Sequence, residues 1–424
     1  MPRRLFLRSS GAAALLAIAA FAGTAHAQSG FQRDRNVTVR DRPRPAYDAI
    51  GLRAGAFLVL PKAEISVLHS DNVFAEEINP RSDWVTSFAP SVLIESQWSR
   101  HSLDARLAAN VYRYSKFDDN SSTALSAHLN GRLDVVQGTV VTGNVGFDRL
   151  VEPRSSASSP FDAAEPVRYN QTSADLGFSR ELNLIRVSGA VHYRNYVFEN
   201  TRSFLGALIN ERYRNNQSWE QQLRVDYALS PAIALFVNGT HNTWAFKAPT
   251  NPLDVDRDAS GYSLAGGADF EITSLTRGQV QVGFLEQNFD DVRVGDTSGL
   301  SLSARVEYFP TQLLTVTLNG QRQAQSTGVV GAGGVVHTNF GAQGDYELLR
   351  NLILTARLQY YGDDYRGLDR QDKIWTGTLG ANYLVNRWLG LNLLYSRYDQ
   401  NSSGLQRGRD FVDNRVQLGL VAQY

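Results

Sequence analysis

The sequence predicts an all-β fold, a transmembrane antiparallel up-and-down β-barrel of about 18 strands. Apolar and polar residues alternate with a period of two over segments of ten or more residues, and the segments are joined alternately by short turns and longer polar loops. Beyond residue 27 no apolar run is long enough to span a membrane as a helix. A soluble β-sandwich is the alternative, but its strands would be shorter, about five or six residues, and its loops would not alternate in length.

The composition excludes several classes of function. The 424 residues include no cysteine, which rules out disulfides and thiolate metal sites, and 42 basic residues balance 42 acidic ones, which argues against nucleic acid as a partner. The seven histidines are scattered, and the chain has no nucleophile elbow, His-Glu-x-x-His motif or phosphate loop. Asp290-Asp291 and Asp363-Asp364 are interpreted as solvated loop carboxylates. We therefore predict no catalytic, cofactor or metal site, and a protein that is not an enzyme.

Three regions are expected along the chain. Residues 1–27 combine Arg3, Arg4 and Arg8 with a short apolar run and the pattern Ala25-His26-Ala27, which indicates a secretory signal cleaved after Ala27. Residues 28–62 form a periplasmic arm containing Arg-Pro-Arg-Pro, which is either an inert tether or a segment that docks on a periplasmic partner or plugs the barrel mouth. The transmembrane barrel is assigned to residues 63–424.

The alternation and the turn residues predict the faces of the strands and the positions of the connections. In residues 103–111, 300–308, 352–360 and 389–395 every second side chain is apolar, and the residues between are mainly polar or small. Eight short turns are expected, at Ser99-Arg100, Gln137-Gly138, Asn183, Ser230-Pro231, Ser274-Leu275, Pro310-Thr311, Arg350-Asn351 and Asn386-Arg387. Nine longer loops lie near 74–82, 117–123, 154–165, 200–211, 248–257, 290–297, 326–336, 363–370 and 399–409. Together they join eighteen strands and leave both chain ends on one side of the membrane.

The C-terminal segment 415–424 is expected to pair with the first strand and close the barrel. Its apolar face is also predicted to be the signal by which a barrel-assembly machinery inserts the protein into outer-membrane lipid, and consists of Val416, Leu418, Leu420, Ala422 and Tyr424. Aromatic residues near strand ends should form interfacial girdles. We assign Trp98, Trp219, Trp388 and Tyr424 to the periplasmic girdle, and Tyr114, Tyr196, Phe198 and Tyr365 to the outer one.

If the apolar faces contact lipid, the opposite faces line a wet lumen. The pore-lining candidates are Arg106, Asn110, Arg186, Arg194, Arg224, Asp226, Asp269, Arg305, Glu307, Gln321, Arg357, Gln359 and Arg415. Most of these charges are interpreted as pairs that hold the barrel's shape, and the remainder would give a weak preference for anions. The loops at 154–165 and 326–336 are long enough to fold inward as a constriction or lid.

The entry segment, residues 41–74, carries Asp41-Arg42-Pro43-Arg44-Pro45, Tyr47-Asp48, Gly51, Gly55, Phe57, Pro61 and Asp71-Asn72-Val73-Phe74, and Trp98-Ser99-Arg100-His101 follows the second strand. This pattern resembles the family called putative β-barrel porin 2, although Ser70 stands where members commonly carry a second acidic residue. The resemblance implies a Gram-negative outer-membrane channel that exports an extracellular polysaccharide beside periplasmic export components. A general diffusion porin for small hydrophilic solutes and a structural or adhesin-like barrel remain alternatives.

Overall fold

The computed structural model describes residue 31 and residues 36–247 and 255–424. The predicted signal segment, residues 1–27, lies outside the described residues, as do residues 28–30 and 32–35 of the predicted arm and residues 248–254 of one predicted loop. Within the described ranges, no helix is long and apolar enough to cross a membrane.

Eighteen long antiparallel strands of 13 to 16 residues form one closed sheet, as the sequence predicts. They are β1 Phe57–Ser70, β2 Asp83–Ser96, β3 Ser102–Tyr114, β4 Ser122–Val136, β5 Thr139–Val151, β6 Arg168–Leu182, β7 Ile185–Phe198, β8 Asn216–Ser230, β9 Ile233–Phe246, β10 Ala259–Ile272, β11 Thr276–Phe289, β12 Thr297–Thr311, β13 Leu314–Ser326, β14 Gly334–Leu349, β15 Leu352–Arg366, β16 Gln371–Leu384, β17 Leu389–Ser403 and β18 Phe411–Gln423.

The sheet has no free edge, because β1 pairs with β18 from Lys62 opposite Gln423 to Ser70 opposite Arg415. Every other strand pairs with its neighbours in sequence. Closure provides every strand with hydrogen-bond partners on both sides, which a sheet in hydrocarbon requires. The predicted pairing of the first and last strands is therefore confirmed.

The apolar side chains of the strands face outward. On β8, Leu223, Val225, Tyr227 and Leu229 are exposed, whereas Asp226 between them is fully buried. The same alternation holds on β18, where Val416, Leu418 and Leu420 are exposed, and continues to Tyr424 just after it. The barrel thus presents its apolar faces to the outside and its polar faces to the interior, as alternation along a strand requires.

Connections differ between the two ends of the barrel. At one end, here called the short-turn end, the strands are joined by tight turns close to the predicted positions; the turn expected at Pro310-Thr311 lies at residues 312–313, because β12 extends through Thr311. At the other, the loop end, the connections are longer and hold two 3₁₀ turns, Asp118–Asn120 and Arg212–Arg214, and a small hairpin, Thr201–Arg202 with Leu208–Ile209.

The chain preceding β1 turns back into the barrel. A short strand, Leu52–Ala54, pairs antiparallel with the start of β1. The short strand lies between Gly51 and Gly55, whose φ values of +73° and +62° favour glycine. The barrel therefore begins at Phe57, earlier than residue 63, and residues 36–47 lie against the inner wall at the short-turn end.

The turn between β4 and β5 depends on Gly138. Its φ is +74°, and an added Cβ would lie 3.1 Å from the Glu181 carbonyl oxygen. We expect Gly138→Ala to lower the free energy of unfolding by about 1–2 kcal/mol, the cost of a left-handed conformation for an L-residue. The measurement is urea unfolding in lipid vesicles. Gly143→Ala is the control, since Gly143 has ordinary φ and open space where the Cβ would be; equal losses at both positions would contradict the prediction.

Candidate functional site: the barrel lumen

The candidate site is the interior surface of the barrel. By strand alternation, all thirteen predicted pore-lining residues lie on the face opposite the exposed apolar side chains. Arg186, Arg224 and Asp226 meet there in one cluster: the Asp226 carboxylate is 3.2 Å from Arg186 and 2.5 Å from Arg224, and Asp269 lies 4.0 Å from Arg186. Arg305 and Glu307 form a second pair at 2.8 Å.

The other predicted lumen residues are spread around the wall. Arg194 pairs with Asp175 at 2.7 Å and Arg415 with Asp413 at 2.5 Å, while Arg357 donates to the Gln343 side chain. Arg106, which lies opposite Leu93 and His128, has no ion-pair partner among the described residues. The interior is thus lined mainly by compensated charges, and the inward groups without an ion-pair partner among the described residues include Arg106 and the carboxylates of Glu95, Asp104 and Glu220.

A row of carboxylates lies on the inner wall near the short-turn end, with one member on each of four alternate strands. Each acid is followed by an aromatic residue that faces outward, in the pairs Asp226-Tyr227, Asp269-Phe270, Glu307-Tyr308 and Asp345-Tyr346. Adjacent positions on a strand point to opposite faces, so one dipeptide places a charge inside and an interfacial ring outside. The sequence reasoning missed Asp345, although the fourfold repeat of this dipeptide was a signal that could have revealed it.

Sequence reasoning also missed Arg277, which contributes to the same wall. Its guanidinium contacts Glu307 at 2.6 Å, so that this buried carboxylate is held between two arginines, Arg277 and Arg305. Charge-assisted hydrogen bonds from the two guanidiniums offset the desolvation of this buried carboxylate. The acidic row therefore fixes arginines along the wall.

At the loop end, three loops meet over the barrel opening and form what we call the loop cap, residues 152–167, 199–215 and 327–333. Ala157 packs against a buried cluster that contains Val329 and Ala332. The Tyr213 hydroxyl donates to the Gly328 carbonyl oxygen at 3.0 Å. Two of these segments overlap the loops predicted to fold inward.

A buried ionic cluster holds the loop cap together. Arg214 lies 2.7 Å from Glu152 and 2.9 Å from Glu211, and all three side chains are buried. Burial raises the pKa of Glu211 and raises that of Tyr213 to about 12. A Cβ on Gly328 would lie 2.4 Å from Arg214, so glycine allows the 327–333 backbone to approach the guanidinium.

The aromatic girdles differ from the prediction. Trp98, Trp388 and Tyr424 are exposed at the short-turn end as expected, but Trp219 is exposed near the start of β8, at the loop end. The predicted outer girdle is wrong. Phe198 and Tyr365 are buried and, with Tyr114 and Tyr196, occupy inward positions on their strands. These four aromatics lie beside the loops, where Arg214 covers the Phe198 ring at 4.1 Å, so strand-end position alone was a misleading criterion.

The predicted loop carboxylates have protein partners. Asp291 pairs with Arg293, Asp363 with His337 and Asp364 with Arg366. The Arg293 guanidinium lowers the pKa of Asp291. Among the described residues, no group of three or more His, Asp or Glu side chains could hold a metal ion.

Comparison with known proteins identifies the family. A family model described as "Putative beta-barrel porin 2" matches residues 44–424, which is the bulk of the chain. This chain belongs to that porin family. A search of curated protein sequences found no match. Since members are outer-membrane barrels, the short-turn end of this porin is the periplasmic end and the loop end is the extracellular one.

Several solved bacterial structures are similar to this chain at low sequence identity. OpdK of Pseudomonas aeruginosa is 10% identical, with 86% of this chain and 99% of that chain covered and a TM-score of 0.43. OccAB3 of Acinetobacter baumannii is 12% identical over 87% and 99% of the two chains, with a TM-score of 0.45. OprD of P. aeruginosa is 12% identical over 89% and 99%, with a TM-score of 0.42.

Proposed function

We propose that this porin is an outer-membrane channel for small hydrophilic solutes. The observation that carries the proposal is the closed sheet of eighteen strands whose apolar faces lie outside and whose charged faces lie inside. Barrels of 16 to 18 strands are wide enough to leave an aqueous passage. An adhesin-like barrel would need no such array of charges along its interior.

The chemistry of the wall favours polar solutes. Gln222, Asn238, Thr240 and Gln281 occupy inward positions on β8, β9 and β11, three of four consecutive strands. These amide and hydroxyl side chains can donate to and accept from water, so the wall that they line is hydrated.

Export of an extracellular polysaccharide is the second candidate, and it is favoured by these wall amides, which can donate to and accept from hydroxyl groups. A polymer, however, would require the loop cap to be displaced throughout transport. Deleting the gene and staining for secreted polymer tests this candidate, and wild-type polymer levels in that strain, also lacking any paralogue, would contradict it. Cleavage after Ala27, periplasmic export partners and recognition of the C-terminal face by an assembly machinery stay predictions.

The channel proposal is tested by planar-bilayer recording of the purified full-length protein, together with swelling of liposomes in sugars of increasing size. We expect discrete, ohmic conductance steps and a size limit for the sugars. A correctly folded barrel that conducts at neither polarity and does not support swelling would overturn the proposal. Swelling in small sugars together with normal polymer secretion in the deletion strain would favour solute passage over export.

A further inference from the structure

The segment preceding the barrel lies inside its periplasmic mouth. We call residues 36–47 the strap. Near its start, the Asn36 carbonyl oxygen accepts from Arg277 at 2.8 Å, and the Val39 backbone N–H donates to the Thr315 hydroxyl at 3.0 Å. Val39 is only 1% exposed, which an inert, solvated tether would not be.

The strap runs along the inner rim of the barrel toward β18, the strand that pairs with β1. Arg350 and Arg387, in two successive short turns, donate to the carbonyl oxygens of Pro43 and Pro45 at 3.4 Å and 3.1 Å. Gln423 at the end of β18 donates to the Tyr47 carbonyl oxygen at 3.1 Å. The strap therefore contacts the wall from β11 to β18.

Three strap arginines meet the end of the acidic row. Arg40 lies 2.7 Å from Asp345, and Arg42 and Arg44 lie 3.0 Å and 3.2 Å from Glu347. Both carboxylates are buried beneath the strap. A buried carboxylate needs a cation beside it, so the wall acids and the strap arginines hold each other in place.

The strap also determines the sign of the charge at this mouth. With the strap seated, its three guanidiniums and Arg350 outnumber the carboxylates of Asp41, Asp345 and Glu347 by four to three. Without it, Arg350 alone faces two carboxylates that become open to the lumen. Charges that line a constriction select ions by sign. We therefore expect the mouth to be cation-selective when the strap is released and to lose this selectivity when the strap is in place.

We propose that the strap is a selectivity element of the pore, which narrows the periplasmic mouth and sets its charge through Arg40, Arg42 and Arg44. This inference rests on the proposed channel function. Solutes that cross the barrel pass beside the strap, so the segment that would otherwise be a linker is part of the pathway.

The test is planar-bilayer recording under a KCl gradient, with three full-length variants. Arg40→Gln/Arg42→Gln/Arg44→Gln should raise the conductance and shift the reversal potential toward cation selectivity, because the strap is released and the carboxylates are uncovered. Asp345→Asn/Glu347→Gln should raise the conductance without a shift toward cations, because release leaves no negative charge. Arg53→Gln is the matched control, since Arg53 is exposed and has no ion-pair partner among the described residues. A triple variant that matches wild type in both quantities would overturn the proposal.

A second measurement separates this inference from the channel proposal. Because the chain has no cysteine, Val39→Cys/Thr315→Cys introduces the only two thiols, which should cross-link in isolated outer membranes through a disulfide or a short bismaleimide. In the triple-variant background, the disulfide should restore wild-type conductance until it is reduced. Failure to cross-link in a protein that conducts would overturn the strap proposal and leave the channel proposal standing. Efficient cross-linking in a protein that never conducts would overturn the channel, and with it the strap's role in selectivity.

Discussion

Arg214→Met is expected to destabilise the loop cap by about 3–5 kcal/mol, the cost of removing one partner from a buried ionic cluster. The substitution leaves Glu152 and Glu211 buried without their shared guanidinium, which lies 2.7 Å and 2.9 Å from them. Methionine retains much of the side-chain volume, so the loss reflects charge more than packing. Hydrogen exchange of residues 199–215 would measure the opening of the cap, and a higher channel conductance should accompany it.

The matched control is Arg212→Met, two residues away in the same 3₁₀ turn but exposed. It should leave the exchange of the loops unchanged. Similar exchange in both variants would show that the buried cluster does not hold the cap.

The defect of Arg214→Met should depend on pH. Burial already raises the pKa of Glu211 above its ordinary value of 4.5, and loss of the guanidinium would raise it further. A carboxyl group whose pKa is higher in the folded state favours folding at low pH, and this stability is lost as the pH rises through the folded pKa. The variant's loops should therefore become more protected as the pH falls from 8 toward 5. An equal defect across this range would contradict the explanation.

Val282→Arg is expected to destabilise the barrel by about 2–4 kcal/mol, because it places a charge on the lipid face near the middle of a strand. Val282 is 55% exposed in the isolated barrel and lies halfway along β11, opposite Leu302 of β12. Equilibrium unfolding by urea in phospholipid vesicles measures the loss.

Gln281→Arg carries the same charge one position earlier, on the inner face of the same strand. Its cross-strand neighbours are Gly267 and Ser303, and no arginine lies opposite it in either adjacent strand. We expect it to cost less than 1 kcal/mol, since lumen positions remain hydrated. A larger loss at position 281 than at 282 would mean that the faces are assigned the wrong way round.

The barrel itself was predictable because its signals are local. A period of two decides which face of a strand is apolar, and turn residues decide where a strand ends. The alternation at 415–424 thus placed Leu418 and Leu420 outside correctly. The inward position of Arg224 and Asp226 follows from the same rule, although the pairing of Asp226 with Arg186 depends on the register between β7 and β8.

The aromatic side chains show what local sequence rules do not predict. Tyr365 and Trp375 both lie toward the loop end of their strands, yet Tyr365 is buried beside Asp372 while Trp375 is exposed. Position within a strand gives depth in the membrane, but only parity gives the face, and parity is easily misassigned beside a loop. β-Bulges, such as the register shift between Tyr308 and Thr311, also change which residues of a strand face outward.

From the sequence alone come the closed barrel, its orientation and the polar character of its interior, since these need only periodicity and loop length. The tertiary structure decided what lies across the two openings. Glu152 and Arg214 are far apart in the chain, as are Arg40 and Asp345, and each pair meets only because the folded chain brings their segments to one end of the barrel. The energy of such a contact depends on burial and distance, and a one-dimensional pattern contains neither.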